Sequence, residues 1–332
     1  MEGYVFMSRR KLGHGGFSRR QFIRKCAVMG VLVWGLGIQT SCRVGKVASQ
    51  SGGRYRYRAL PDWPRLPRGV SFEGVNGIAV DSRGYVYAAG GAENAVLVFD
   101  PNGKYVGSWG KGIIGTKHEL RIFEDTVWVG DTMHHQVYEF TLDGKLLRSL
   151  GTRDHPGEGP NEFNKPTDIA FAPNGDMYVC DGYGNRRMVC LNPDGSFRLA
   201  WGRKGTGPGE FDPPHNVVVD AEGRVYVADR ENLRIQIFGP NGRFLKQWRH
   251  VGKPFGLYLT PDQTLFVTDG SDKGPHRVLI LDLDGRILAT FGETGGGPGQ
   301  FNIPHSIHVD RYGNVYVAEV GNKRIQKFVP LP

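Results

Sequence analysis

An all-β fold, a six-bladed β-propeller closed by an N-terminal strand, is what this sequence predicts, and three observations carry it. Glycine is abundant, 49 of 332 residues beside 20 prolines, with no collagen period, as expected of many short strands joined by turns. Six segments between residues 75 and 330 repeat one pattern, opening VNGIAVD, HELRIFE, PTDIAFA, PHNVVVD, PFGLYLT and PHSIHVD. Each segment holds four short apolar runs except the sixth, which stops after three, so its outermost strand must come from elsewhere or an edge stays open.

The N-terminus comes first. Within residues 1–42, SRRQFIRK (18–25) precedes the apolar CAVMGVLVWGLGI (26–38). A basic stretch followed by a short apolar run is a secretory pattern, set aside from the fold. The run falls short of the roughly 20 apolar residues that a spanning helix needs. Ser18-Arg19-Arg20-Gln21-Phe22 also resembles the twin-arginine export motif. Residues 1–42 are therefore expected to be an export signal leading to the periplasm or the cell exterior. An uncleaved anchor and lipidation at Cys42 stay open as alternatives, and membrane contact is expected only through this segment in those cases. The leader carries seven basic residues and one acid, so +6 of the net +9 resides there and +3 is left for the rest. No dense basic stripe remains, and no nucleic-acid partner is expected.

Residues 43–69 are read as a linker and the closing strand, with RYRYRALPDW (54–63) as the segment that completes the sixth blade. The propeller itself is placed at 70–330. In its fourth unit VVVD, RVYVAD, RIQIFG and RFLKQW are the strands, and AEG, REN and PNG the connections; Val, Ile, Tyr and Phe favour strands and the Asn-Gly and Glu-Gly pairs favour tight turns. Cys180 and Cys190 flank one hairpin, and no disulfide is expected between them. GEGPNEFNKP, GTGPGEFDPP and GGGPGQFNIP look superficially like phosphate loops. They lack the Lys-Ser/Thr and the following helix, and are read as turns between blades.

One position of the repeat carries the chemistry. The residue that begins each innermost strand is Asn76, His118, Thr167, His215, Phe255 and His305. Histidines fall on alternate blades. With blades about 60° apart around a channel lined by the innermost strands, three imidazoles about 120° apart would converge on the axis. Three His with an open fourth position is a catalytic zinc arrangement; channel histidines that only meet solvent are the alternative. His134 and His135 lie in a loop and are expected to be solvated. In a four-stranded meander the loop between strands two and three returns to the end where strand one began. That places Asp181-Gly182-Tyr183-Gly184-Asn185 and Asp229-Arg230-Glu231-Asn232 beside the histidines, where a Tyr and an Arg suit acid–base work and anion binding.

The units resemble NHL repeats over roughly residues 70–330. PTDIA, DGYGNRR, PHNVVVD, VADRENLRIQ and IPHSI are similar, more specifically, to the peptidyl-α-hydroxyglycine α-amidating lyases. The resemblance implies zinc on His118, His215 and His305, with room left for a second, structural calcium. It implies Tyr183 as catalytic base and Arg230 as the anion-binding residue. The substrate it implies is a small peptide or hydroxylated amide, a carbinolamide cleaved to an amide and glyoxylate. The sequence departs from that family at three places. A first-blade Arg is replaced in VYAAGGAEN by Gly90 and Gly91, the Asp after the last His is Ser306, and the cysteines of a disulfide are missing near Asn164 and Gly184. Two other readings stand beside the lyase. One is a non-catalytic NHL propeller that binds a peptide or protein partner; the other is a calcium-dependent lactonase, which the axial histidines disfavour because calcium prefers oxygen ligands.

Overall fold

The computed structural model describes residues 55–332; residues 1–54, which include the segment expected to be an export signal and part of the expected linker, lie outside the described residues. Every regular element described is a strand. Six four-stranded antiparallel sheets follow one another. Blade one is Phe72–Val80, Val86–Gly91, Val96–Phe99 and Tyr105–Trp109; blade two is Lys117–Phe123, Thr126–Asp131, Gln136–Thr141 and Leu146–Leu150. Blade three is Asp168–Phe171, Met177–Asp181, Arg187–Leu191 and Phe197–Trp201; blade four is Pro214–Val219, Val225–Asp229, Arg234–Phe238 and Phe244–Trp248. Blade five is Pro254–Leu259, Leu265–Asp269, Arg277–Leu281 and Ile287–Phe291. Blade six has three C-terminal strands, Pro304–Val309, Val315–Glu319 and Arg324–Pro330, and its fourth is Tyr57–Ala59, paired antiparallel with Tyr57 opposite Pro330 and Ala59 opposite Phe328. Tyr57–Ala59, within the segment that the sequence marks for this role, thus supplies the missing strand.

The middle strands are less alternating than the repeats suggest. Val225–Asp229 and Arg234–Phe238 are buried along their whole length, because each blade is covered on both faces by its neighbours. The core is accordingly divided into clusters that straddle adjacent blades. One joins Phe266, Val278 and Ile280 of blade five to Ile307, Val317 and Phe328 of blade six, with Tyr57 beside them. The outermost strands face water and carry the exposed apolar residues Val106, Leu147 and Leu245.

Two local devices hold the units in phase. At the hairpin between strands one and two, Asp220 Oδ1 accepts the N–H groups of Glu222 and Arg224, and Gly223 takes φ +79°, a conformation that side chains resist. The same Asp-x-x-Gly turn recurs at Asp310–Gly313. The second device explains the glycine-rich connectors. Arg234, fully buried, pairs with Asp229 at 2.7 Å and donates to the carbonyls of Thr206, Gly207 and Glu210, all in GTGPGEF. Arg324 treats Gly296, Gly297 and Gln300 of GGGPGQF likewise. These loops present carbonyls inward to an internal cation, the opposite polarity to a phosphate cradle. Removing one partner of such a buried pair leaves a charge uncompensated, at a cost of about 3–5 kcal/mol.

Candidate functional site

The carboxylate of each Arg pair has a second task, which begins the site. Asp229 Oδ1 accepts the N–H of Asp212, and Glu319 Oε2 that of Asn302. Each bond pins the chain three residues ahead of a histidine. The next feature is a β-bulge. Pro214 pairs with Asp229 and Asn216 with Ala228, so His215 is one residue too many for the ladder; His305 holds the same place between Pro304 and Ser306. Blade two has one extra residue between Lys117 and Leu120, the stretch holding His118. A bulge re-aims its side chain, and here it turns three imidazoles toward the channel.

There they meet. Ring centroids of His118, His215 and His305 are 4.8, 4.9 and 4.7 Å apart, close to an equilateral triangle. One nitrogen from each falls within 4.8 Å of the other two, and all three residues are buried. Each Nδ1 lies on the backbone carbonyl of the next blade: His118 on Thr167 O at 2.8 Å, His215 on Phe255 O at 2.8 Å, His305 on Asn76 O at 2.7 Å. A carbonyl only accepts, so Nδ1 carries the hydrogen and Nε2 offers its lone pair to the axis. This accounts for the alternation in the sequence. Blades one, three and five supply a carbonyl at the very repeat position where the others supply an imidazole, and any residue can supply a carbonyl. Burial pushes all three imidazoles down, His305 to about 4 and the other two well below their usual range, with the Arg230 cation acting in the same direction. The neutral, ligating form therefore persists to lower pH. In the metal-free protein, imidazole resonances followed by NMR should show these three rings unprotonated at about pH 5.5, where a solvated histidine, with an ordinary pKa near 6.5, is mostly protonated. Three rings titrating near 6.5 would contradict the buried triad.

Tyr183 and Arg230 arrive from the loops above. Gly182 passes so close to blade four that a Cβ there would lie 2.3 Å from Pro214 O, which lets Tyr183 reach inward. Its hydroxyl stands 2.9 Å from His118 Nε2, 3.2 Å from His215 Nε2 and 3.1 Å from Arg230 Nη1. Burial raises the phenol and the Arg230 cation pulls it back. Arg230 Nε is held by Glu231 at 2.9 Å, and the guanidinium lies 5.0 Å from the centre of the Phe255 ring. Glu231 also takes Lys253 Nζ at 3.0 Å. All five residues singled out in the sequence are thus brought to one end of the channel. Phe255, which packs against both His215 and His305, was legible only as the blade-five copy of the histidine position. Glu231 and Lys253 gave no signal beyond their loops.

Among the described residues the triad is the one group of three or more His, Cys, Asp or Glu side chains gathered closely enough to share a metal ion. The donors suit a borderline-soft ion: three neutral imidazoles, each oriented by a bond from its far nitrogen, with no carboxylate among them. His134 departs from expectation; it is not simply solvated but held between Asp154 and Arg153. Cys180 and Cys190 are free and buried. Asn164 and Gly184 touch, Gly184 N donating to Asn164 O at 2.9 Å, so the two positions without cysteine are spatial neighbours. Blade one is built differently from the rest. Three extra residues bulge between Phe72 and Gly77, and a Cβ on Gly90 would lie 2.9 Å from Gly74 O. Backbone fills the place from which a side chain could have reached the site.

A family model for the NHL repeat matches residues 211–238 and 301–328. Peptidyl-alpha-hydroxyglycine alpha-amidating lyase 1 of Drosophila melanogaster is 34% identical over 265 residues, 71% of this chain and 49% of that protein, so the chain spans about half its length. NHL repeat-containing protein 3 of Homo sapiens is 33% identical over 309 residues, 83% of this chain and 84% of that one. Among solved structures a streptogramin B lyase superposes with a TM-score of 0.60 at 14% identity, over 83% of this chain and 98% of the other, a likeness of fold.

Proposed function

Because the chain belongs to the NHL-repeat family and is homologous to the peptidyl-α-hydroxyglycine α-amidating lyases, we propose that it is a zinc-dependent lyase acting on a peptidyl-α-hydroxyglycine or a similar hydroxylated amide. The observation that carries this is the convergence of three Nε2 lone pairs, a phenol and a guanidinium at one buried place. His118, His215 and His305 would hold the metal, which when bound supplies a Lewis acid that acidifies a hydroxyl.

The remaining work falls to side chains. Cleavage breaks the substrate O–H and C–N bonds, makes the carbonyl of glyoxylate, and returns a proton to the departing amide nitrogen. Tyr183 Oη, 2.9 Å from His118 Nε2 and 3.2 Å from His215 Nε2, would take the hydroxyl proton and give it back to the nitrogen. Arg230 Nη1 favours the anionic form of the phenol, and its guanidinium offers a fork to the substrate carboxylate. Phe255 and the buried imidazoles keep water from the reacting atoms. The secretory leader supports an exported location, in the periplasm or outside the cell.

Incubating the zinc-loaded protein with a peptide ending in α-hydroxyglycine tests the reading. Glyoxylate and the peptide amide should appear in equal amounts and faster than in the buffer control. A protein that binds zinc but releases no glyoxylate would favour the second reading, a propeller that binds a peptide or protein partner without turning it over. One observation favours that alternative: blade one contributes no cation to the site, its Gly90 being walled in by backbone.

A further inference from the structure

The residue that follows each histidine is polar and buried: Glu119, Asn216 and Ser306. Polar groups in a dry channel are costly unless bonded, and these bond to one another. Ser306 Oγ donates to Glu119 Oε1 at 2.5 Å, and Asn216 Nδ2 donates to Glu119 Oε2 at 2.9 Å. Leu120 N–H adds a third bond, to Oε1 at 3.1 Å. From there the set extends to every blade. Ile78 N–H of blade one donates to Ser306 Oγ, and Leu257 N–H of blade five to Asn216 Oδ1. Arg121 donates to Asn216 Oδ1 and grips Asp168 of blade three through two bonds, at 2.9 and 2.6 Å.

The position of this set matters because of the bulges. A bulged residue has no partner in its ladder, so the pairing within a blade does not fix how far each histidine reaches into the channel. Beside the Nδ1 bond that orients each imidazole, the bonds that run across the channel tie the three bulges to one another. Each of the three polar residues is the covalent neighbour of one imidazole, so movement of one carries its histidine along. We propose that Glu119, Asn216 and Ser306 form a clasp across the channel that sets the separation of His118, His215 and His305, with Glu119 as the positioning residue at its hub. The inference rests on the metal reading given above.

The test exchanges donor for acceptor. In Glu119→Gln the new amide must set its NH2 against either Asn216 Nδ2 or Leu120 N–H, whichever way it turns and whichever protonation state the carboxyl had. Combining Glu119→Gln with Asn216→Asp restores the match, since the amide then donates to the new carboxylate, whose other oxygen still accepts from Arg121 and Leu257. Zinc affinity, by competition with a chelator, and the visible spectrum of the cobalt(II)-substituted protein are the readouts, with circular dichroism reporting the fold. Glu119→Gln should weaken zinc about 10–100-fold and alter the cobalt spectrum, and the double variant should recover both. Unchanged affinity in the single variant, or no recovery in the double, overturns the clasp while leaving the metal site standing. A wild-type protein that takes up no zinc overturns the metal reading and the clasp with it. Should Glu119→Gln not fold, Ser306→Ala, which deletes only the hydroxyl, decides in the same way: weaker zinc supports the clasp and unchanged affinity overturns it.

Discussion

Replacing His215 by alanine should strip the protein of its metal and abolish turnover together. His215 is fully buried, its Nε2 faces the axis, and its Nδ1 is committed to Phe255 O at 2.8 Å. The variant loses one of three ligands, and the two that remain come from blades two and six, with no carboxylate in the cluster itself to substitute and the nearby Glu119 already bonded to Ser306 and Asn216. Metal analysis should find about one zinc per wild-type chain and almost none in the variant. Glyoxylate release should fall to the buffer rate. The blade ladders do not use the bulged residue, so the far-ultraviolet circular dichroism of the variant should match wild type. A variant that keeps its zinc would sink the triad as the metal site.

Tyr183→Phe should have a different signature. It removes one oxygen and keeps the ring, which packs edge-on to His118 at 5.2 Å and lies beneath Arg230 at 5.5 Å. The metal should stay, and substrate should bind with nearly unchanged KM, because the substrate carboxylate is assigned to Arg230. Only the proton carrier is lost, so kcat should fall about 10²–10⁴-fold, the usual worth of a positioned acid–base group. Such a loss corresponds to about 3–5 kcal/mol in the transition state. A kcat within tenfold of wild type, zinc retained, would remove Tyr183 from the proposed mechanism.

Much of this was legible in the sequence because the repeat converts spacing into angle. Once His118, His215 and His305 are seen at one phase of alternate units, a sixfold ring places them around the axis without any knowledge of contacts. Tyr183 and Arg230 follow from meander topology alone. What spacing could not give is which way a side chain turns. That depends on the bulges at His215 and His305, which add one residue without leaving a mark in the alternating pattern. The carbonyls of Thr167, Phe255 and Asn76 were equally hidden, since a backbone group has no sequence signature. The clasp was hidden for another reason. Ser306 reads as the absence of a carboxylate, yet the carboxylate is present on the axis, supplied by Glu119 from blade two.

The pairing of Tyr57–Ala59 with the last strand also sets an order of events in time. A chain made from its N-terminus exposes its closing strand first and must wait for residues 324–330 before that strand has a partner. Over the same interval it owns one imidazole, then two, and acquires the third only with His305. Long loops must close before these contacts repay their entropy, so the ring should form late and cooperatively. A ligand that binds only the folded state stabilises nothing until then. On the proposed metal reading, an ion held by all three imidazoles therefore requires the first strand of blade six to have been made and seated beside blades two and four.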